Sequence, residues 1–463
     1  MAVTTKTAWL TFIALVITSR SNGMKVVNTY RDVYGDSLLN VDMDNKSGTV
    51  LISSVNSITK LNENLDLKDI VQIGKNSSYL SNIVIDSKSD SVILCSGKSG
   101  KCEVRSLKYF EKVLSANPND LVPKNGDSRS VLLLTTTYRR LFIANSFQAN
   151  KPEQQKVVPV LSSRTPNNLH LAHTDRKGSS AKYFSSANLP SDYFVTYLYS
   201  FSERKYAYFI SRQTNSKNSA VTSKISRLCL DDDYFRSYVE IQLDCVADSK
   251  TQYSVAQSAH YDPSTQKLTI AFSKATSPVS SAVCSFDLRD VNKMMDNTVR
   301  ECFQGKGSYG PIHFHNASSC KSTMAKPDLC GQSETSEDYS AIEGSMPLFQ
   351  RPIMTLPSIF VTAIVTRREN KHTTIYLGTR NGALQKVTVA DNGLVTMVTT
   401  ADLDAGYEVM SPMFLNQGGN YLYAMTKSKL LKVDIDHCLV KTSCQECTSL
   451  FDSVCGWCVL QNR

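Results

Sequence analysis

Short apolar runs recur along this chain between turns of small polar residues, in a unit that returns from residue 25 to residue 436. Each copy holds an apolar strand, a polar turn, and a second strand that carries Lys or Arg and ends in apolar residues. The clearest copy covers residues 375–387, and its Asn381-Gly382 pair is a strong signal for a hairpin turn. The seven copies align on one apolar residue each: Leu51, Ile93, Phe142, Phe209, Ile270, Tyr376 and Leu422.

The spacing of the copies indicates one architecture. The steps between the aligned residues are 42, 49, 67, 61, 106 and 46 residues, and a four-stranded propeller blade takes about 40 to 50 residues. Further strand-like runs precede several copies, at residues 79–85, 131–136, 193–199 and 360–366. The strands are too many for one sandwich, and the steps are too uneven for a solenoid. We therefore predict an all-β fold, a seven-bladed β-propeller over residues 24–436.

The step of 106 residues predicts an insertion into the fifth copy, an extrusion at about residues 276–346. This segment is rich in Ser, Gly and Cys and has few long apolar runs. A long excursion without its own core needs cross-links. Four cysteines are placed to supply them: Cys284, Cys302, Cys320 and Cys330.

The first 23 residues predict a signal peptide. Lys6 gives a charged start, residues 8–17 form an apolar core, and Ser21 and Gly23 form a small-x-small cleavage site. A membrane span needs about 20 apolar residues, and no other segment reaches that length, so we expect no membrane insertion within this chain. In an oxidising compartment the cysteines pair. Three asparagines are acceptor sites for N-glycans on the surface: Asn45, Asn76 and Asn316.

The chain carries a mild positive charge. The formal charge is +9, and it falls to +7 without the first 23 residues, which hold Lys6 and Arg20 and no acid. Charged residues make up 20% of the chain and form no basic block. The charge therefore modestly favours acidic partners such as sulfated glycans, and it does not indicate nucleic acid.

Two histidine pairs have spacings that could place two ligands on a metal ion, His170 with His173 and His313 with His315. Neither is followed by Cys, Asp or Glu at zinc-like spacing, so we expect surface histidines. The three acids at residues 231–233 are more typical of a solvated turn than of a calcium loop.

Other short motifs also fail to indicate chemistry. Residues 97–99, Gly-Lys-Ser, imitate the end of a phosphate loop, but the upstream glycine is missing and a strand follows. The pairs Arg139-Arg140 and Arg367-Arg368 are interpreted as exposed blade edges first and as partner contacts second. We therefore expect no cofactor, no metal and no enzyme activity.

The densest cysteine cluster lies at the end of the chain. Cys438, Cys444, Cys447, Cys455 and Cys458 follow the pattern Cys-x5-Cys-x2-Cys-x7-Cys-Gly-Trp-Cys. This pattern resembles the first five of eight cysteines of a PSI (plexin–semaphorin–integrin) module, in its plexin version.

Two upstream blocks are similar to the plexin sema domain. Residues 227–240 begin with Arg-Leu-Cys and end with Tyr-Val-Glu, with Cys245 following, and residues 373–387 contain Leu-Gly-Thr-Arg-Asn-Gly-Ala-Leu-Gln-Lys-Val. Sema domains are seven-bladed propellers with an extrusion in the fifth blade. The resemblance therefore implies a sema propeller followed by a partial PSI module at residues 437–463.

The resemblance also implies a set of disulfides, which spacing alone leaves open. The plexin pattern implies the pairs Cys95–Cys102, Cys229–Cys330, Cys245–Cys284, Cys302–Cys320 and Cys438–Cys455. Cys444, Cys447 and Cys458 would then be unpaired in this fragment, with partners beyond residue 463.

By resemblance, the chain is expected to be the extracellular, ligand-binding part of a plexin-type cell-surface receptor, or a secreted form of it, that binds semaphorins and acts in guidance of axons and cell migration. Co-receptors or sulfated glycans are further possible partners. No motif fixes the semaphorin contacts, and blade position favours residues from about 130 to 250. The alternatives are a semaphorin ligand, which the cysteine at position 458 disfavours, a relative of the growth-factor receptor kinases with sema domains, and a propeller enzyme.

Overall fold

The computed structural model describes residues 24–72, 80–124, 129–150, 157–184, 189–214, 220–276, 279–314, 318–323, 327, 329–330, 341–369, 371–435 and 443. These residues form a ring of seven sheets, each built around four antiparallel strands, the blades of a β-propeller. Six of the sheets have four strands, and the seventh is a larger sheet with a four-stranded blade at its centre. All seven residues aligned in the sequence lie in the second strand of a blade, one in each, so the predicted architecture is confirmed.

The first three blades follow each other directly along the chain. Blade 1 has the strands β2 to β5, blade 2 has β6 to β9, and blade 3 has β10, β11, β13 and β16. In chain order the strands of this part are β1 (Lys25–Tyr30), β2 (Leu38–Asp44), β3 (Thr49–Ser54), β4 (Ser57–Leu61), β5 (Leu67–Gln72), β6 (Leu80–Asp86), β7 (Ser91–Ser96), β8 (Cys102–Ser106), β9 (Val113–Ala116), β10 (Ser130–Leu134), β11 (Leu141–Asn145), β12 (Phe147–Gln148), β13 (Leu161–Arg164), β14 (Thr174–Asp175), β15 (Gly178–Ser179) and β16 (Ala181–Lys182).

Blade 4 has the strands β17 to β20, and blade 5 has β22, β23, β24 and β29. A helix and several short strands lie between the third and fourth strands of blade 5. In chain order the elements are β17 (Phe194–Glu203), β18 (Tyr206–Thr214), β19 (Val221–Cys229), β20 (Val239–Asp248), β21 (Thr251–Tyr253), β22 (Val255–Asp262), β23 (Lys267–Ser273), β24 (Ser281–Asp287), α1 (Leu288–Phe303), β25 (Ser308–Tyr309), β26 (Ser318–Ser319), β27 (Ile342–Glu343), β28 (Leu348–Gln350) and β29 (Met354–Leu356).

Blades 6 and 7 complete the ring. Blade 6 has the strands β30 to β33, and blade 7 has β34, β35, β36 and β1. In chain order the strands are β30 (Val361–Glu369), β31 (His372–Thr379), β32 (Ala383–Ala390), β33 (Val395–Asp402), β34 (Met410–Leu415), β35 (Tyr421–Met425) and β36 (Leu430–Asp434). The predicted hairpin at Asn381-Gly382 joins β31 and β32. Gly382 has a φ of +86°, and a Cβ there would lie 1.8 Å from the carbonyl oxygen of Asp404, so only glycine fits.

The ring is closed by the first strand of the described chain. β1 pairs with β36 as the outermost strand of blade 7, so that blade is assembled from both ends of the propeller. Tyr30, Leu38 and Tyr423 share one apolar cluster across the boundary with blade 1. The Leu38 amide also donates to the carbonyl of Lys427, at 2.8 Å. Closure therefore combines strand pairing with a buried apolar contact.

The innermost strands are joined by side chains that accept hydrogen bonds from the backbone of the next blade. Asp42 Oδ2 accepts from the amide of Ile85 at 2.8 Å, and the hydroxyl of Tyr199 accepts from the amide of Tyr261 at 3.1 Å. A buried amide without a partner would cost about 1–3 kcal/mol. These acceptors therefore satisfy the open inner edge of the blades. Burial raises the pKa of Asp42 to about 6.

The insertion in blade 5 contains the helix α1, which the sequence analysis did not predict. Asp287 caps the helix, because its carboxylate accepts from the amide of Arg289 at 2.9 Å. One face packs against blades 4 and 5, through Leu288, Val291, Met295, Val299, Cys302 and Phe303. The predicted start near residue 276 is also wrong, because β24 is still the third strand of blade 5. The insertion runs from residue 288 to residue 353. It has no separate core, because its helix packs into the core of blades 4 and 5.

Four disulfides cross-link the described residues. One spans the β7–β8 hairpin, one joins blade 4 to blade 5, and two hold the insertion. They are Cys95–Cys102, Cys245–Cys284, Cys229–Cys330 and Cys302–Cys320, and they join the same cysteines that the plexin pattern pairs within the propeller. The longest of these loops, 101 residues, would stabilise the fold by about 5 kcal/mol if chain entropy were the whole effect.

An ion triad of two buried residues and one part-exposed residue fixes the insertion to blade 4. Lys224 Nζ lies 2.6 Å from Glu240 Oε1 and also contacts Glu343 of β27. Burial alone would lower the pKa of Lys224, but the two carboxylates more than offset this and raise it above its ordinary value. Glu240 is satisfied further by Gln213 Nε2 at 3.0 Å and the hydroxyl of Tyr238 at 2.8 Å.

We expect Lys224→Met to lower the free energy of unfolding by about 3 kcal/mol, because the buried carboxylate of Glu240 and the part-exposed carboxylate of Glu343 would then lack their cation. Denaturant unfolding measures the change. Lys205→Met, at an exposed lysine of the same blade, is the matched control and should change stability by less than about 0.5 kcal/mol. Equal stability of the two variants would contradict this role of the triad.

The buried side chain of His260 makes the stability of the fold depend on pH. Its Nδ1 accepts from the amide of Thr366 at 3.3 Å between blades 5 and 6, and burial lowers its pKa to about 4. The unfolded chain takes up this proton below the ordinary value of about 6.5, and the folded chain only near 4. Acidification from pH 6.5 to 4 therefore favours unfolding, by at most about 3 kcal/mol for this group.

We expect His260→Asn, which keeps an acceptor for Thr366, to lose less stability than the parent between pH 7 and pH 4. Asp42 contributes a slope of opposite sign in both proteins, so the difference between the two profiles isolates His260. Thermal unfolding at several pH values measures it. Superimposable profiles would show that His260 is not the group responsible.

Candidate ligand-binding surface

The span that the sequence analysis favours for partner contacts, residues 130–250, makes up blades 3 and 4. The strands of each blade are antiparallel, so the turn between its first and second strands and the turn between its third and fourth strands lie on the same side of the ring. We call this side the first-turn face. Blades 3 and 4 bring four such turns together, at residues 135–140, 165–180, 204–205 and 230–238.

An exposed tyrosine stands at the tip of the turn between β10 and β11. Tyr138 and Arg139 both have a left-handed backbone, with φ of 61° and 46°. Turns of this kind usually use Asn and Gly, and a non-glycine residue in this region costs of order 1 kcal/mol or more. The side chain of Tyr138 is 53% exposed. The backbone is thus strained to display an aromatic side chain.

The two arginines that follow Tyr138 fix this turn to the blades on either side. Arg139 Nη2 lies 2.7 Å from Asp86 Oδ2 and 2.6 Å from Ser89 Oγ, both in blade 2. Arg140 Nη2 lies 2.8 Å from Asp233 Oδ1, in blade 4. The expectation that Arg139 and Arg140 are exposed blade edges is therefore replaced by a structural role. They hold the tyrosine turn in place.

Beside Arg139 and Arg140, the turn between the third and fourth strands of blade 3 contacts the corresponding turn of blade 4. We call such a turn the third turn of its blade. The hydroxyl of Tyr234 donates to Asp175 Oδ2 at 2.6 Å and lies 3.0 Å from His173 Nε2. The hydrogen bond from Tyr234 is the main reason why the pKa of Asp175 falls to about 2. Arg236 stacks on the Tyr234 ring, with its guanidinium carbon 4.4 Å from the ring centre. The surface is therefore ordered by polar contacts between blades.

His170 and His173, whose spacing could place two ligands on a metal ion, belong to no group of potential metal ligands among the described residues. His173 contacts the hydroxyl of Tyr234, and His170 is exposed on the same turn as His173. In this part of the chain only Cys229, Asp231 and Cys330 lie close enough together to share an ion. The two cysteines are bonded to each other, so their thiolates are not available as ligands.

His313 is a core residue, so the expectation that it lies on the surface is wrong. Its Nδ1 lies 2.8 Å from the hydroxyl of Tyr193, and the ring packs against Phe147 and Phe314. Burial lowers its pKa far below the ordinary value. His315 lies outside the described residues.

The acidic run at residues 231–233 is only partly a solvated turn. Asp232 is buried and accepts from the amide and the hydroxyl of Ser237, both at 2.6 Å. Asp233 pairs with Arg140, as described above. Neighbouring acids therefore serve different partners, which is why they do not surround one ion.

Of the predicted glycan sites, Asn45 is exposed in the first turn of blade 1. The other two sites and the final cysteines lie outside the described residues: Asn76, Asn316, Cys438, Cys444, Cys447, Cys455 and Cys458. Within the described part of the chain, no helix is both long enough and apolar enough to cross a membrane.

This chain is similar to known proteins in sequence and in structure. Residues 251–414 match the Sema domain family. Among curated proteins, Plexin-A4 of Danio rerio is 26% identical over 499 residues, covering 91% of this chain and 26% of that protein. Plexin-B3 of Mus musculus is 27% identical over 417 residues, covering 85% of this chain and 20% of that protein. The chain spans about a quarter of the length of the curated relatives it matches.

Solved structures show the same fold. The extracellular region of Plexin A4 superimposes with a TM-score of 0.81 at 22% identity, over 94% of this chain and 49% of that one. Drosophila Plexin A, solved in complex with Semaphorin 1b, gives 0.66 at 15% identity, over 94% and 92%. Drosophila Semaphorin 1a gives 0.68 at 17% identity, over 94% of each chain. Structural likeness alone therefore does not separate plexins from semaphorins.

We expect Arg139→Ala to loosen the tyrosine turn, because the strained backbone would lose both contacts to blade 2. Amide hydrogen exchange in residues 135–140 should become at least about 10-fold faster, with little change in global unfolding. Arg204→Ala is the matched control, since Arg204 also has a positive φ in a first turn but is largely exposed. Unchanged exchange in residues 135–140 would show that Arg139 does not hold the turn.

Proposed function

Because the chain carries a sema domain of the plexin type, we propose that its propeller is the semaphorin-binding part of an extracellular receptor. The curated relatives described above are plexins, and one plexin structure contains a bound semaphorin. These findings favour the receptor over the semaphorin alternative. The proposed activity is recognition without catalysis.

The observation that carries the proposed contact surface is the Tyr138 turn. Protein interfaces draw most of their binding energy from a few residues, with tyrosine and arginine prominent among them. An aromatic side chain on a pre-ordered turn binds at a low entropic cost, because little motion remains to be lost. Tyr138 meets this requirement, since Arg139 and Arg140 fix its turn to blades 2 and 4.

The charge around this turn favours a semaphorin surface with acidic groups. Arg204, Lys205 and Arg176 are exposed on the neighbouring turns of blades 3 and 4. Several acids of the same face are already engaged, Asp86 by Arg139, Asp233 by Arg140 and Asp175 by Tyr234. Arg204 lies 3.9 Å from Glu203 but keeps 79% of its side chain exposed, so these cations can still guide an acidic partner. Such guidance acts mainly on the association rate.

The parts of the chain outside the described residues complete the proposal. Residues 1–23 would direct export and be removed, and residues 437–463 would begin a PSI module that continues the receptor. On this proposal the propeller lies on the extracellular side of the plasma membrane, or is secreted. Signalling in axon guidance and cell migration would require receptor segments other than the propeller.

The first test measures binding of semaphorin ectodomains to the purified chain and to its Tyr138→Ala variant. We expect at least one semaphorin to bind, and Tyr138→Ala to weaken that binding by about 30-fold or more, as for a central interface residue. Tyr34→Ala is the matched control, because Tyr34 is half-exposed on the loop between β1 and β2, on the opposite face. No binding by any semaphorin would overturn the proposed function.

A glycan placed on the surface gives an independent test of position. Lys177→Asn creates a glycan acceptor with Ser179 on the third turn of blade 3, and Leu394→Thr creates one at Asn392 on the third turn of blade 6. We expect only the first to abolish semaphorin binding. Binding that survives the glycan on blade 3 would place the contact elsewhere, while leaving the receptor proposal intact.

A further inference from the structure

A cleft of about 450 Å³ lies between blades 1 and 2 on the first-turn face, at a distance along the ring from the blade 3–4 surface. Its volume falls within the range of small-ligand sites. We call it the blade 1–2 cleft, and it is lined by Asp44, Lys46, Ser47, Thr49, Lys60, Ser87, Asp90, Leu107 and Lys108. Every wall residue except Leu107 carries an ammonium, hydroxyl or carboxylate group.

Three lysines reach this cleft from different elements. Lys46 lies in the first turn of blade 1, Lys60 in β4, and Lys108 in the third turn of blade 2. Lys60 is half-buried, and its Nζ donates to the carbonyl of Leu107 at 2.7 Å, which leaves further N–H donors on the same ammonium. Among the described residues, neither Lys46 nor Lys108 forms an ion pair. The cleft therefore holds ammonium groups that have no anion.

The acids of the cleft do not cancel this charge. Asp44 is already engaged, because its Oδ2 accepts from the hydroxyl of Ser47 at 2.6 Å and its Oδ1 from the amide of Lys46 at 3.1 Å. These bonds help to lower the pKa of Asp44, so it stays an anion held by its own turn. Asp90 is the second acid, and three lysines face these two carboxylates.

The rim offers an aromatic surface beside the charges. Tyr109 follows Lys108 and is 62% exposed, with the Lys108 ammonium 5.3 Å from the ring centre. Sugars combine hydroxyl groups with flat apolar faces, so hydroxyl and ammonium donors next to an exposed aromatic ring suit a carbohydrate that carries anionic groups. Lysine binds sulfate as a point charge and requires no fixed orientation of the anion.

We propose that the blade 1–2 cleft binds a sulfated polysaccharide chain through Lys46, Lys60 and Lys108. The sulfates replace the missing counter-charges, and the hydroxyl oxygens of Ser47, Thr49 and Ser87 accept hydrogen bonds from the sugar hydroxyls. This site is separate from the semaphorin surface and does not depend on the proposed function. Asn45 lies in the same turn as Lys46, so a glycan there would stand at the rim of the cleft.

The test uses the full chain in an Asn45→Gln background, so that a rim glycan cannot mask the cleft. Heparin and chemically desulfated heparin are the probes, and affinity is measured at several salt concentrations. We expect the Lys46→Gln, Lys108→Gln double variant to bind heparin about 10-fold more weakly. The slope of log affinity against log salt should fall by about 2, one for each lost ion contact. Desulfated heparin should bind neither protein measurably.

The control is the Lys98→Gln, Lys101→Gln double variant. Both lysines are exposed on the β7–β8 hairpin of blade 2, on the opposite face, and the change in net charge is the same. Equal loss of heparin binding in the two double variants would mean attraction by net charge only and would overturn the site. Equal binding of desulfated heparin would overturn the role of sulfate. The Lys46→Gln, Lys108→Gln variant should keep its semaphorin affinity, so failure of the cleft and failure of the receptor proposal give different results.

Discussion

Closure of the ring by β1 and β36 is the constraint on which the other features depend. Each blade packs only against its neighbours, so an open row of seven would leave two apolar faces in water. Pairing of β1 with β36 removes both faces at once, and the Tyr30–Leu38–Tyr423 cluster fills the boundary. The turns of the first-turn face keep fixed relative positions because the strands below them cannot separate one blade at a time.

Because the ring is rigid, contacts between the turns of different blades can hold those turns in fixed positions. Arg139 and Arg140 span three blades, and contacts of this kind are useful only if the blades do not shift. The first turn of blade 2 serves both proposed surfaces. Its Ser89 holds Arg139, while its Ser87 and Asp90 line the blade 1–2 cleft. A semaphorin site and a polysaccharide site would therefore share one structural element without sharing a contact residue.

The architecture could be predicted from the sequence because second strands of blades are the most regularly apolar. Phe142, Ile270 and Leu422 are all fully buried, so their spacing reports the blades directly. The helix α1 was missed although its sequence carries the signal, because Leu288, Val291, Met295 and Val299 recur at helical spacing behind the N-cap residue Asp287. In the sequence analysis this segment is interpreted by its Ser, Gly and Cys content instead. A tertiary contact with blades 4 and 5, which no local pattern records, makes this helix stable.

The candidate surfaces were harder to predict, for a related reason. The Tyr138 turn contains neither Asn nor Gly, so nothing in residues 135–140 indicates a left-handed backbone. Its shape depends on Asp86 and Asp233, which lie about 50 and 90 residues away in the sequence. The Lys224 triad likewise joins residues from blade 4 and the insertion. Arg139-Arg140 was noticed as a pair, but its partners, and hence its role, became visible only in the fold.

The insertion also changes what blade 4 can do with other polypeptides. β27 and β28 run parallel to β20 and pair with its outer edge between Val239 and Cys245. An open outer strand is a template for strand addition, which leads to aggregation or to recognition of extended peptides. Blade 4 has this template covered by its own chain. A protein that binds there therefore cannot pair with β20 itself, which favours recognition through side chains on the turns.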